Sequence, residues 1–330
     1  LSRIEKPGAA PRRVAAAGGA AKALLFASDF DDPEPFREVF ARDFPRLDFR
    51  VWPAAGRVEE IEYALVWKIE DGALRRLPNL KAILALGAGV DQILKDPGFP
   101  RAVPLYRLLD AGLAAQMSEY AIYGVLDFHR RMGEYRALQA RREWRRLEAV
   151  HPAERRVGVM GLGVLGADLA RKLAVLGFRT LGWSRTPKSL PGIACHHGEA
   201  GLKEFLGACE IVVVLLPLTP QTEGIIDARL LAMLPRGAAL INIARGRHVV
   251  EKDLLAALDS GQLSHAMLDV FRQEPLPADH PFWRHERIFV TPHVAAQPIA
   301  ELAMRQILES LRRLEAGQEP EGRVDPAVGY

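Results

Sequence analysis

Residues 157–166, VGVMGLGVLG, decide how the rest of the chain is read. The first half is a short β-branched apolar run, as in a strand buried on both faces. The second half is Gly161-x-Gly163-x-x-Gly166, and the segment from Gly166, GADLARKLAVLG, has helical character and closes on glycine. Three glycines between a strand and a helix have separate uses. The first permits the tight turn, the second lets a pyrophosphate approach the backbone, and the third lets helix and strand pack closely. The helix start offers free N–H groups and a partial positive charge to phosphates. Gly161, Gly163, Val164, Leu165 and Gly166 are therefore candidate dinucleotide-binding residues. The strand–turn–helix context makes the motif far more specific than glycine spacing alone.

Strand-like and helical runs alternate on both sides of this turn, the pattern of a parallel α/β sheet. Upstream, KALLFAS (22–28), DFRVWP, YALVWK and KAILALGAGV read as strands, with DPEPFREVFARDFP as a helix opening on acids and prolines. From about Ala111 a long helical pattern, AQMSEYAIYGVLDFHRRMGEYRALQARREW, leads to the glycine turn. Downstream, RTLGWSR, CEIVVVLLP, AALINIAR, HAMLDVF and RIFVTPH read as strands, and EKDLLAALDSG and IAELAMRQILESLRRLEAG as helices. The 330 residues suffice for two domains of ordinary size. Residues 1–22, rich in Ala, Gly, Pro and Arg, read as a flexible N-terminal extension.

Composition excludes several classes of function. With 49% hydrophobic and 26% charged residues the chain is globular, and a net charge of +3 suits a small anionic ligand better than nucleic acid. The arginines after residue 129 are interleaved with Glu134, Glu143 and Glu148, as on a solvated or dimer-facing helix. No apolar run reaches the roughly 18–20 residues of a membrane span. The two cysteines, Cys195 and Cys209, form no CxxC pair, so a reducing, cytoplasmic compartment is expected. Cys195 reads as an inert loop thiol, and neither His196–His197 nor His280 with His285 has the partners of a metal site.

The strand after the glycine turn selects the nucleotide. An NAD site usually has Asp or Glu about 20 residues past the motif, on the ribose 2′-OH. Here GWSRTPKS puts Ser184 in that place, followed by Arg185, Thr186 and Lys188. These groups suit a 2′-phosphate, which a carboxylate would repel, so NADPH is expected over NADH.

Chemistry-bearing residues then follow strand after strand. Arg245 ends AALINIAR, LDVFRQEPLP supplies Asp269 and Glu274, and FVTPHVAAQ places His293 just past a strand end. Open α/β sheets bind ligands at that edge. An arginine fork can clamp the carboxylate of a 2-keto acid and polarise its carbonyl. A histidine can supply the proton that makes the new hydroxyl, and a carboxylate behind it fixes the imidazole.

The order GLGVLG, ARG, LDVFRQEPLP, TPHVAA resembles the D-isomer-specific 2-hydroxyacid dehydrogenase family. YALVW, LGAGVDQIL, WSRTPKS and LPLTPQTEGII resemble its glyoxylate/hydroxypyruvate reductase branch. The likeness runs from about residue 23 to the end. It implies two doubly wound parallel-sheet domains with a cleft between: a flavodoxin-like substrate domain (23–112 plus 295–330) and a Rossmann NADP-binding domain (113–294). It also implies hinges near Asp110–Gly112 and Ala295–Pro298 and a homodimer interface at the helix after residue 113. After His293 the chain reads VAAQ, where many members of the wider family have a Gly pair.

The resemblance also implies roles. Arg245, Glu274 and His293 match the catalytic set, and Asp269 the aspartate on the nicotinamide carboxamide. Leu216, Pro217, Thr222, Ile243 and Ala244 join the cofactor site. The N–H groups of Ala88, Gly89 and Val90 match the loop that holds the substrate carboxylate. Trp67 and Lys68 are candidate pocket residues, where a bulky Trp favours substrates as small as glyoxylate or hydroxypyruvate, although Trp67 reads equally as core. Two alternatives stay open: a larger acid such as phenylpyruvate or 3-phosphoglycerate, and a nucleotide-sensing, corepressor-like binding protein on the same fold.

Overall fold

The computed structural model describes residues 22–329. The extension expected over residues 1–22 thus lies outside the described residues, apart from Lys22, which opens the first strand. The described residues form two parallel sheets. The first is built from β1 (Lys22–Ala27), β2 (Leu47–Val51), β3 (Ile61–Val66), β4 (Ala82–Ala85) and β5 (Leu105–Tyr106), in the order β2-β1-β3-β4-β5. That is the order of a flavodoxin-like doubly wound sheet. Helix α1 (Pro33–Asp43) starts under an Asp32 cap that accepts from the Glu34 N–H, and α2 (Asp91–Leu94) follows the glycine loop after β4.

Two helices lead out of this sheet, α3 (Leu113–His129) and α4 (Met132–Ala140). The second sheet contains β6 (Arg156–Met160), β7 (Arg179–Ser184), β8 (Ala194–His197), β9 (Ile211–Val214), β10 (Ala238–Asn242), β11 (Leu263–Leu268) and β12 (Ile288–Val290). Its helices are α5 (Val164–Val175), α6 (Gly198–Ala208), α7 (Ala228–Leu231) and α8 (Glu251–Asp259), and α9 (Ala300–Glu315) ends the series. The strand order is β12-β11-β10-β9-β6-β7-β8, a Rossmann arrangement with one extra strand. Order reverses between β6 and β9, which opens a crevice beside the glycine turn at the end of β6.

Amphipathic spacing explains how the helices cover the sheets. Ala303, Met304, Ile307, Leu308 and Leu311 of α9 form one apolar stripe against Leu24, Phe26, Leu65 and Leu84 of the first sheet. The last helix in sequence therefore closes the first sheet in space. Ala121 and Val125 of α3 pack with Val157, Val213, Ile241 and Met267 of the second sheet. Gly124 makes this contact close: a Cβ there would stand 2.7 Å from Met267 Sδ.

Two local expectations are corrected. The long helix expected after Ala111 breaks at Arg131, whose φ of 57° is left-handed, and residues 142–150 carry no helix. Arg136 clasps Asp127 across the break at 2.8 and 3.0 Å. Cys195 lies in the edge strand β8, paired with Gly182 of β7, rather than in a loop. A four-residue strand, ACHH, has no apolar alternation to announce it.

Candidate active site

At the β6–α5 turn the three glycines differ in what surrounds them. Gly161 has φ +107°, and a Cβ on it would meet the Leu215 carbonyl oxygen at 2.5 Å. A Cβ on Gly166 would lie 1.8 Å from the Gly161 carbonyl oxygen, so this glycine serves strand–helix contact. A Cβ on Gly163 would meet nothing within 4 Å. Gly163 caps α5 without a side-chain bond, and the N–H groups of Val164, Leu165 and Gly166 reach no acceptor among the described residues. Open space in front of unpaired helix N–H groups fits a pyrophosphate.

The other candidate cofactor residues follow β7, β9 and β10 of the same sheet. Ser184 ends β7, is buried, and donates to the Thr186 carbonyl at 2.8 Å. Arg185, Thr186 and Lys188 are exposed on the loop that follows. Thr222 knots the β9–α7 loop, donating to the Pro217 carbonyl at 2.6 Å and accepting from the Thr219 N–H at 2.8 Å. Leu216, Ile243 and Ala244 are buried.

The β10 strand end is built to present Arg245. Asn242, fully buried, donates to the Arg245 carbonyl at 3.0 Å and accepts from the Ala244 N–H at 3.2 Å. His248, also buried, places Nδ1 3.0 Å from the same Arg245 carbonyl and Nε2 3.3 Å from the Pro217 carbonyl. Burial pushes the His248 pKa down in spite of these two carbonyls. Gly246 allows the loop to press on the next strand end, since a Cβ there would stand 1.9 Å from the Phe271 carbonyl carbon. The Arg245 side chain turns toward the first sheet, where Nε donates to Asp91 Oδ1 at 3.0 Å.

Glu274 and His293 meet as a dyad, with His293 Nδ1 2.7 Å from Glu274 Oε2. The other carboxylate oxygen accepts from the Phe271 N–H at 2.9 Å. Partial burial alone would raise the Glu274 pKa. The hydrogen bonds from His293 and Phe271, then the charges of His293 and Arg245, outweigh it and hold the carboxyl below its usual range. Glu274 therefore senses both His293 and Arg245.

His293 has a left-handed backbone, φ 56°, a conformation that costs energy for a residue with a Cβ. Asp269 holds it there. The Asp269 carbonyl accepts from the His293 N–H at 2.8 Å. Its carboxylate accepts from Thr291 Oγ1 at 2.6 Å and from the N–H groups of Val294 and Ala295, each at 2.8 Å. Tyr120 of α3 hydrogen-bonds the same Thr291 hydroxyl. Asp269 is fully buried, so these internal partners define its immediate surroundings.

The loop after β4 comes under Arg245. A Cβ on Gly89 would lie 1.7 Å from Arg245 Nη2. The N–H groups of Ala88, Gly89 and Val90 bond no acceptor among the described residues. Trp67 lies over the same loop, 2.5 Å from where a Gly87 Cβ would be, and also packs on the first-sheet core. The Lys68 ammonium is drawn aside to Asp29 at 2.6 Å. Sequence reasoning missed Asp91, Asn242, His248, Tyr120 and Thr291 as parts of this arrangement. Only the acid in GAGVD, two residues past Gly89, stood close enough to a motif to draw notice.

A seven-stranded Rossmann sheet with a glycine cradle, an arginine and a His–Glu dyad on one edge defines a nucleotide-dependent oxidoreductase. The chain belongs to the D-isomer specific 2-hydroxyacid dehydrogenase family, whose NAD binding domain matches residues 122–295. It is 44% identical over 312 residues to glyoxylate/hydroxypyruvate reductase A of Serratia proteamaculans, covering 93% of this chain and 99% of that protein. Among solved structures, the D-isomer specific 2-hydroxyacid dehydrogenase of Xanthobacter autotrophicus Py2, in complex with NADPH and MES, superposes with a TM-score of 0.89 at 44% identity, over 94% of this chain and 100% of that one. The NADPH-dependent glyoxylate/hydroxypyruvate reductase of Sinorhizobium meliloti, in complex with NADP and sulfate, gives 0.86 at 40% identity over the same shares.

Proposed function

We propose that this enzyme reduces small 2-keto acids with NADPH, glyoxylate to glycolate and hydroxypyruvate to D-glycerate. The observation that carries the reading is the 2.7 Å His293–Glu274 dyad with Arg245 near enough to act on the same carboxylate. NADPH, when bound, supplies the hydride. The Arg245 guanidinium and the free N–H groups of Ala88, Gly89 and Val90 hold the substrate carboxylate and polarise its carbonyl. His293 gives its Nε2 proton to the carbonyl oxygen as that oxygen gains charge. Glu274 fixes the ring through Nδ1 and favours the protonated imidazole.

Residues 23–112 with 295–330 serve as the substrate domain and 113–294 as the cofactor domain. Preference for NADPH is supported by the absence of an acid at Ser184 and by the exposed Arg185, Thr186 and Lys188 beyond it. The two structural relatives bound to NADPH or NADP also favour it. The working form is a homodimer joined through α3, where Tyr123 and Leu126 expose apolar surface. No helix among the described residues is long and apolar enough to cross a membrane, and we assign the enzyme to the cytoplasm.

The deciding experiment follows absorbance at 340 nm with purified protein, glyoxylate or hydroxypyruvate, and NADPH or NADH. Fast loss with NADPH and slow loss with NADH is expected. No turnover of either keto acid would overturn the substrate assignment, and faster turnover with NADH would overturn the cofactor assignment.

A further inference from the structure

Asp91 opens α2 directly behind the GAGV loop, with its side chain only 12% exposed. Its Oδ1 accepts from Arg245 Nε at 3.0 Å, and its other oxygen lies 3.9 Å from Lys95 Nζ. Asp91 rides on the first sheet and Arg245 on the second, so this charge-assisted bond spans the cleft. Arg245 is also held on its own side, where Nη1 donates to the Ala244 carbonyl at 2.7 Å. With Nε and Nη1 engaged, the plane of the guanidinium is fixed, and Nη2 is the nitrogen turned onto Gly89.

An unrestrained arginine side chain samples many rotamers, and ordering it on substrate binding costs free energy. A partner that orders it beforehand removes that cost and sets the approach angle. We propose that Asp91 is a positioning residue: it aims Arg245 Nη2 at the Ala88–Val90 loop and so sets where the carboxylate of the keto acid lies. This rests on the reductase reading above.

The test is steady-state kinetics with glyoxylate and NADPH on the wild-type enzyme, Asp91→Ala, Asp91→Asn, Arg245→Ala and the Asp91→Ala/Arg245→Ala double variant. In Asp91→Ala the KM for glyoxylate is expected to rise and kcat/KM to fall by about 10–100-fold, the scale of a roughly 1 Å misplacement. The KM for NADPH stays unchanged. Asp91→Asn, which keeps an acceptor for Nε, recovers most of the loss. Asp91→Ala adds no further loss on the Arg245→Ala background, because it acts through that arginine. An unchanged glyoxylate KM in Asp91→Ala, or an equal loss with and without Arg245, overturns the proposal while the reductase reading stands. A wild-type enzyme that turns over no keto acid removes that reading and this proposal with it.

Discussion

Gly89 and the guanidinium of Arg245 lie so close that a side chain on the first would occupy the space of the second. A Cβ at position 89 would stand 1.7 Å from Nη2 and 2.8 Å from Cζ. The backbone of Gly89 is not left-handed, so alanine fits the chain locally and the arginine must move. Gly89→Ala is therefore expected to lower kcat/KM for glyoxylate by about 100-fold, again the cost of displacing a binding group by roughly 1 Å. The affinity for NADPH, measured by fluorescence titration, should hold. Wild-type kinetics in this variant would show that Arg245 does not act at the loop.

His293→Ala should slow keto-acid reduction by roughly 10²–10⁴-fold, the usual worth of a general acid. Glu274→Gln keeps a neutral partner for Nδ1 and should lose less. Because the Glu274 pKa is lowered from 4.5, its carboxylate persists as pH falls through the ordinary carboxylate range. Any acid limb of kcat/KM that belongs to Glu274 therefore lies below pH 4.5. A wild-type limb between pH 5 and 7 that disappears in Glu274→Gln would contradict this.

The glycines of the cofactor turn should separate stability from binding. Gly166→Ala places a Cβ 1.8 Å from the Gly161 carbonyl oxygen and should cost about 1–3 kcal/mol or more, read as a fall in Tm. Gly163→Val enters open space, so Tm should hold while the KM for NADPH rises about 10–100-fold, because the side chain would stand where we propose the pyrophosphate approaches. Equal losses of stability in both variants would remove this division of roles.

Nucleotide choice should follow the loop after β7. Ser184→Asp combined with Arg185→Ala introduces a carboxylate for the ribose 2′-OH and removes a cation that we propose faces the 2′-phosphate. Charge-assisted hydrogen bonds contribute about 1.5–3 kcal/mol each, so the kcat/KM for NADPH should fall at least about tenfold. That for NADH should be kept or raised. A variant that loses both cofactors equally would place the phosphate site elsewhere.

Three histidines make stability depend on pH. Burial lowers the pKa values of His129, His248 and His265 below 6.5. The unfolded chain therefore binds more protons than the folded one as pH falls from 6.5, and stability decreases on acidification. Their contribution is complete above about pH 6.5 and is lost as pH falls toward the folded-state values. Scanning calorimetry should show a lower Tm at pH 5.5 than at pH 7.5. His129 Nδ1 is buried and has no partner among the described residues, so His129→Leu should narrow that difference. An unchanged pH dependence in this variant would remove His129 from the account.

What could be read in the sequence was governed by short-range rules. A β-branched run, three glycines and a helix start must form a strand–turn–helix, because backbone sterics and helix N–H geometry act within a few residues. The apolar runs of β6, β9, β10 and β11 announce buried parallel strands in the same way, and alternating strands and helices imply doubly wound sheets. Arg245, Glu274 and His293 were legible as a group only because each follows a strand, and parallel strands bring their carboxyl ends to one edge. The tertiary structure decided the rest. No local rule places Asp91 on Arg245, since the two are 154 residues apart and meet only where the two sheets face one another. Packing also decided that Asn242 and His248 hold the Arg245 carbonyl and that buried Asp269 holds the left-handed backbone of His293. These depend on which groups are buried together, which the folded sheets determine and the neighbouring residues in sequence do not.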